Sequence, residues 1–483
     1  MQLSNPELLQ TQAYIDGQWC DATSGQRFAV INPATAETIT QVADCSSQET
    51  LQAIDAAQQA LPKWRAMTAK QRCALLQTWF ELIIENREDL ATLMTLEQGK
   101  ALAEARGEVN YGASFVEWFA EEGKRQYGET IPATNANQRL LTIRQPIGVV
   151  AAITPWNFPI AMITRKAAPA LAAGCTMIIK PSEETPLCAL ALAKLAQRAQ
   201  IPDGVLNIVP GLDSKAIGKA LTDSSIVRKL SFTGSTPVGK LLMRQCAATV
   251  KRTSMELGGN APFIVFDDAD LDKAIQGVLA SKYRNSGQTC VCANRILVQS
   301  GVYEVFADKL TTAIKQFKLG NGLDEGVNMG PLINQKALDK VNALVRGALK
   351  EGAHLKAGGT PSENGLFYPA TILTDVTPDM DIFNQEIFGP VAPLVRFETE
   401  QEAIELANAT PFGLAAYFYA ADLGRIWRVG EALEYGMVGI NEGLISNEVV
   451  PFGGVKESGV GREGSRYGIE EYSEIKYLCM GVG

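Results

Sequence analysis

The chain has 483 residues, 46% hydrophobic and 20% charged, with a formal net charge of −9. That length suggests about two to four domains at ~150 residues each, and the composition is that of a globular protein, not a disordered one. The acidic balance argues against nucleic acid as a partner, because no excess of basic side chains offsets phosphate repulsion. The longest uncharged stretch, 145–164, carries Pro146, Pro155, Asn157 and Pro159, so it reads as a strand, a loop and the entry to a helix and not as a membrane span. The first residues lack a basic segment followed by an apolar one, so no secretory signal is expected. Nine scattered cysteines make neither a disulfide framework nor a zinc-site spacing. A reducing, cytoplasmic setting and no metal are expected.

In chain order, the first periodic segment runs from Ser47 to about Gly123, with apolar residues three and four apart, as in Leu51, Ile54 and Ala57 or Leu75, Leu76, Trp79, Phe80 and Ile83. That spacing predicts helices. From Ile147 the rhythm changes. The short apolar runs Ile147–Ile153, Thr176–Ile179, Val205–Val209 and Lys229–Phe232 alternate with helical stretches such as Leu187–Ala199, the pattern of βαβ units around a parallel sheet. A second alternating series starts near Ala261, with strands at 262–266, 295–298, 415–419 and 437–440 and helices at 271–283 and 303–317. Two α/β units therefore meet near Gly258–Gly259. The segments 138–144 and 472–479 alternate like half-buried strands and fit neither unit. Either they pair into a small projecting sheet, whose exposed edge a partner subunit would cover, or they are unrelated edge strands.

The chemistry-bearing motifs follow the same order. Pro155-Trp156-Asn157-Phe158-Pro159 sits between a strand and a helix, where ligands gather in α/β folds. Asn157 there is either an amide donor for an oxyanion or a helix cap. Lys180 and Glu183, three apart at a strand end, suit a ribose or a solvated loop. The run Phe232-Thr-Gly-Ser-Thr-Pro-Val-Gly239 opens a helix and offers N–H groups to a phosphate, although it lacks the usual Gly-x-Gly-x-x-Gly spacing. Glu256, before the glycine pair of the domain junction, would have a raised pKa if buried and could then act as a base near neutrality; otherwise it is a turn residue. The segments Glu386–Pro390 and Pro451–Gly454 are glycine- and aromatic-rich loops, either ligand loops or plain turns.

Cys290, in Arg284-Asn-Ser-Gly-Gln-Thr-Cys-Val-Cys292, is the candidate nucleophile. The chain has one histidine, His354, in a polar segment that reads as a helix end, so a cysteine–histidine pair is hard to assemble. A reactive Cys290 would need backbone dipoles, a cofactor's positive charge or a carboxylate base. The alternative is a buried structural cysteine.

The ordered set Phe-Thr-Gly-Ser, Glu-Leu-Gly-Gly-Asn, Gly-Gln-Thr-Cys, Glu-Ile-Phe-Gly-Pro and Pro-Phe-Gly-Gly closely resembles the aldehyde dehydrogenase superfamily over essentially the whole chain. Ala161–Lys166, the Cys290/Cys292 doublet and Asn441–Ser446 are similar to the succinate-semialdehyde dehydrogenases, with glutarate-semialdehyde dehydrogenases as near relatives. The resemblance implies Cys290 as nucleophile, Glu256 as general base, and Asn157 with the Cys290 N–H as oxyanion donors. Trp156, Lys180, Ser182, Glu183, Phe232, Gly234, Ser235, Leu257, Glu386 and Phe388 would bind the cofactor. The carboxylate of a small semialdehyde would meet Arg165, Arg284 and Ser446, two guanidinium groups otherwise empty of counter-charge. Cys292 is a candidate redox partner for Cys290 or a small packing residue.

The implied fold is α/β: a Rossmann-like NAD-binding domain (1–137 and 149–257), an α/β catalytic domain (258–451) and a small oligomerisation β-sheet (138–148 and 470–483) in a dimer or tetramer. NAD is expected over NADP, because the Glu183 carboxylate would repel a 2′-phosphate. A non-catalytic protein on the same fold is the distant alternative.

Overall fold

The computed structural model describes residues 3–363 and 365–483. The helical reading of the N-terminal part holds. Helices α1 (Ser47–Ala66), α2 (Ala69–Glu85), α3 (Arg87–Gln98) and α4 (Leu102–Glu122) follow one another with short breaks. Ser46 with Glu49 and Thr68 with Gln71 close capping boxes on α1 and α2, which satisfies backbone N–H groups that a helix start leaves open. Gly99 ends α3 at φ 93°, where a side chain would be strained. Trp64 and Trp79 are fully buried and donate their indole N–H groups to Leu171 O and Leu192 O at 3.2 and 3.1 Å. They fasten this layer to the helices behind the first sheet.

That first sheet has eight strands, in the order Gly459–Val460, Arg252–Glu256, Val227–Thr233, Val149–Ile153, Thr176–Lys180, Leu206–Ile208, Ala13–Ile15 and Gln18–Cys20. The five strands from Arg252–Glu256 to Leu206–Ile208 are parallel, and the strands flanking them pair antiparallel. Helices cover both faces, which is why its central strands are short continuous apolar runs. The connection after Val149–Ile153 leads through Trp156–Asn157 into α5 (Ala161–Ala173), buried along its whole length, Arg165 and Lys166 included.

The second sheet has seven strands: His354–Ala357, Thr371–Thr374, Val391–Phe397, Ala293–Gln299, Ala261–Val265, Ala415–Tyr419 and Met437–Ile440. All pairs are parallel except the first. His354 therefore begins an edge strand and is not the helix end expected, because the preceding helix already stops at Lys350 and Gly352 turns the chain at φ 108°. Its side chain is 75% exposed and, among the described residues, pairs with Asp375 at 3.1 Å, which leaves it no part in the interior.

The two leftover segments do pair. Ser473–Gly481 runs antiparallel to Gln138–Pro146 from Ser473 opposite Pro146 to Gly481 opposite Gln138, and Thr130–Ile131 adds a third strand. The expected half-burial fails for Ser473–Gly481, which is exposed beyond its first residue because no described residue covers either face. All nine cysteines are free. Among the described residues no helix is long and apolar enough to cross a membrane.

Candidate functional site

The carboxyl ends of both parallel sheets face one cleft of about 440 Å³, the place where an α/β fold collects ligands. Trp156, Asn157, Glu183, Gly234, Ser235, Leu257, Cys290, Glu386 and Phe388 all line it.

Cys290 stands between a tight turn and the Ala293–Gln299 strand. Asn285, Ser286 and Gly287 have φ of 51, 55 and 75°, three successive left-handed residues that only surrounding bonds can hold. Those bonds are present. Glu104 Oε1 accepts the Asn285 N–H at 2.9 Å, Asn285 Nδ2 donates to Asn157 O at 3.0 Å, and Ser286 Oγ donates to Gly330 O at 2.8 Å. A Cβ at Gly287 would come within 2.1 Å of Gly389 O, so glycine is required there. Burial pushes the Cys290 thiol up to about 12; Arg165 and the Val291 N–H pull it down, while Glu256 and Glu386 push it further up. The thiol is thus protonated at neutral pH until positive charge or a base arrives.

Glu256 ends the Arg252–Glu256 strand and is 3% exposed, and neither carboxylate oxygen has a hydrogen-bond partner among the described residues. Burial raises its pKa well above the usual range, and the Glu463 charge raises it further; Arg165, Lys166 and Arg462 oppose both. Asn157 is buried and donates one amide N–H to Gln288 O at 3.0 Å, which leaves the second hydrogen of Nδ2 uncommitted. The Cys290 backbone N–H has no partner among the described residues.

At the other end of the cleft, Ser235 is the N-cap of the Thr236–Ala247 helix, yet its side chain makes no capping bond. Its hydroxyl and the free N–H groups of the first turn suit a pyrophosphate. Lys180 Nζ meets Glu183 Oε2 at 2.8 Å, a charged pair suited to the hydroxyls of a ribose. Trp156 and Phe388 pack edge to face with centroids 5.6 Å apart, and Glu386 accepts the Gly259 N–H at 3.1 Å. A dinucleotide fits this arrangement of donors and aromatic walls. Three expected cofactor residues are not among those lining the cleft: Lys180 stands behind Glu183, Ser182 accepts the Glu184 N–H at 3.3 Å, and Phe232 lies under Gly234, where a Cβ would come 2.4 Å from its ring.

Cys290 also borders a second, smaller pocket lined by Tyr111, Phe158, Met162, Arg165, Arg284, Ser446 and Phe452. Here the expectation for Arg165 needs correction. Its Nε lies 2.6 Å from Glu463 Oε2 and its guanidinium sits 4.0 Å from the centre of the Phe452 ring, so it already has a counter-charge. Lys166 also pairs with Glu463 and reaches Thr233 Oγ1 at 2.5 Å. Arg284 has no carboxylate partner among the described residues and rests 4.8 Å over the Phe158 ring. Cys292 is buried and donates from Sγ to Lys282 O at 3.3 Å.

Sequence reasoning missed the supports of this site. Lys100 pairs with Glu108 and donates to Asn157 O at 2.8 Å, while Glu108 accepts the Ile160 N–H at 3.0 Å at the start of α5. The one signal was the spacing of Glu104, Glu108 and Tyr111 along a helix face; Glu463 had none.

A profile described as the aldehyde dehydrogenase family matches residues 19–478. The chain is 61% identical to a glutarate-semialdehyde dehydrogenase of Pseudomonas putida over 482 residues, all of both chains. It is 60% identical to the succinate-semialdehyde dehydrogenase [NADP(+)] of Escherichia coli over 483 residues, again all of both chains. A crystal structure of succinate-semialdehyde dehydrogenase from Burkholderia pseudomallei superposes with a TM-score of 0.99 at 58% identity, covering 100% of each chain.

Proposed function

The chain belongs to the aldehyde dehydrogenase family, and from that premise we propose that it oxidises succinate semialdehyde to succinate with NAD. The observation that carries the substrate is Arg284, a guanidinium without a carboxylate partner in the pocket beside Cys290. The enzyme is NAD(P)-dependent as a family member. We favour NAD because the Glu183 carboxylate, beside Lys180, would repel a 2′-phosphate; the NADP(+) relative makes cofactor choice the point to measure.

The cofactor would be held by Lys180 and Glu183 at the ribose, Ser235 at the pyrophosphate, and Glu386, Phe388 and Trp156 at the nicotinamide end. When bound, it supplies the acceptor for a hydride. Glu256 is the base charge-coupled to Cys290 and takes its thiol proton. The thiolate attacks the aldehyde carbon, and the oxyanion receives the spare Asn157 N–H and the Cys290 N–H. Loss of hydride leaves a thioester on Sγ. Once the thiol proton has passed to solvent, Glu256 removes a proton from water, which attacks the thioester; the tetrahedral intermediate expels the Cys290 thiolate, which takes that proton back from Glu256 as the acid leaves. Arg284 and Ser446 hold the distal carboxylate, and Arg165, paired with Glu463, frames the pocket.

The first sheet serves as the cofactor unit and the second as the catalytic unit. The Ser473–Gly481 strand marks a homo-oligomer contact, and nine free thiols favour the cytoplasm. Glutarate semialdehyde is the second reading, supported by the relative at 61% identity. Steady-state kinetics on succinate semialdehyde, glutarate semialdehyde and butanal, each with NAD and NADP, test the proposal. The C4 semialdehyde should give the highest kcat/KM, and butanal turned over as well as the semialdehydes would refute it.

A further inference from the structure

Helix α4 turns one face toward the site, carrying Glu104, Glu108, Tyr111 and Phe115 at spacings of four, three and four. Three of them have visible work. Glu104 holds the strained turn before Cys290, Glu108 holds Lys100 and the start of α5, and Phe115 packs 5.2 Å from the Arg165 guanidinium. Tyr111 supports none of these elements. Its ring meets Phe115 edge-on at 5.0 Å, and its hydroxyl, sealed from solvent, makes no well-formed hydrogen bond among the described residues, with the Ser446 side chain as its polar neighbour. A buried hydroxyl without a partner is costly, and native folds keep few of them.

The hydroxyl belongs to the pocket that Arg284 and Ser446 line. Arg165 shares Glu463 with Lys166, whereas Arg284 has no carboxylate within ion-pair distance among the described residues. A carboxylate has about four lone-pair sites, and a single guanidinium fork fills two. We propose that Tyr111 is a specificity-determining residue, its phenol donating a hydrogen bond to the distal carboxylate of the aldehyde beside Arg284 and Ser446. This rests on the semialdehyde reading above. Burial holds the phenol pKa above its ordinary value, so it remains a donor at every working pH.

Tyr111→Phe keeps the ring and its packing and removes only the donor. On succinate semialdehyde its kcat/KM should fall about 10- to 100-fold, mostly through KM, the scale of a hydrogen bond to a charged group. Butanal should change by less than about threefold, since it has no anion to bind. Inhibition by succinate, a readout free of turnover, should weaken by the same factor as the KM change. Equal losses on both aldehydes, or unchanged succinate inhibition, would overturn the assignment. An unmutated enzyme with no preference for the semialdehyde over butanal would instead refute the substrate reading on which it rests.

Discussion

Replacing Arg284 and Arg165 separately with alanine tests how the pocket reads charge, because the two guanidinium groups are not equivalent. Arg284 rests over the Phe158 ring at 4.8 Å and makes no ion pair among the described residues, with the buried Glu104 as a nearby negative group. Removing one partner of a desolvated charge pair costs about 2–5 kcal/mol, or roughly 30- to 5,000-fold in kcat/KM. That loss should appear with succinate semialdehyde. With butanal only the cation–π contact is lost, about 0.5–1 kcal/mol, or two- to fivefold. Arg165→Ala is a different experiment. It leaves Glu463, 5% exposed, with Lys166 as its remaining partner, and removes a cation that holds the Glu256 pKa down. Breaking a buried pair costs about 3–5 kcal/mol, so the melting temperature should drop and both substrates should suffer alike. Kinetics on both aldehydes with a thermal melt of each variant measures this. A substrate-selective Arg165→Ala beside an unselective Arg284→Ala would refute the reasoning.

Alkylation of Cys290 by iodoacetamide should be slow at pH 7 and still rising near pH 10, because the thiol lies near 12; NAD should accelerate it, and Cys290→Ala should abolish turnover. Since the Glu256 pKa is raised, deacylation should increase with pH through that value, and Glu256→Gln should let the thioester accumulate, visible by mass spectrometry. Glu183→Ser should narrow the kcat/KM gap between NAD and NADP, and an unmutated enzyme that prefers NADP would refute the role given to that carboxylate. Peroxide followed by thiol should silence and restore activity, with restoration reduced in Cys292→Ala, where Cys290 has no close thiol to stop its further oxidation. Unchanged inactivation and recovery would exclude the switch, which requires Cys292 to leave its bond to Lys282 O.

What was legible in the sequence is what neighbouring residues decide. The apolar runs of the central strands announced a buried parallel sheet, and Gly234-Ser235 was readable as the start of a helix, which stands at the cleft. The strand Arg252–Glu256 escaped notice because it combines one charge, two hydroxyls and a methionine before its glutamate, so no apolar run marks it. Phe232 could not be positioned from sequence, because the glycine beside the cleft rests on its ring. The partners of Arg165 and Lys166 could not be read at all. Glu463 stands 297 residues beyond Lys166, and no local pattern reports a contact at that separation. Tyr111 was half-legible, since its helix face was readable while the pocket it faces is built by four other segments.

The 297 residues between Lys166 and Glu463 also set a clock. At a synthesis rate of 5–20 residues per second, roughly 15–60 s separate the emergence of the two cations of α5 from that of their shared anion. During that interval α5 must bury Arg165 and Lys166 uncompensated or stay undocked, and undocking is the cheaper course. The nascent chain should therefore present a loosely closed first sheet to chaperones until its last twentieth is made. Substitutions at Glu463 should then act on yield in the cell before they act on the finished enzyme.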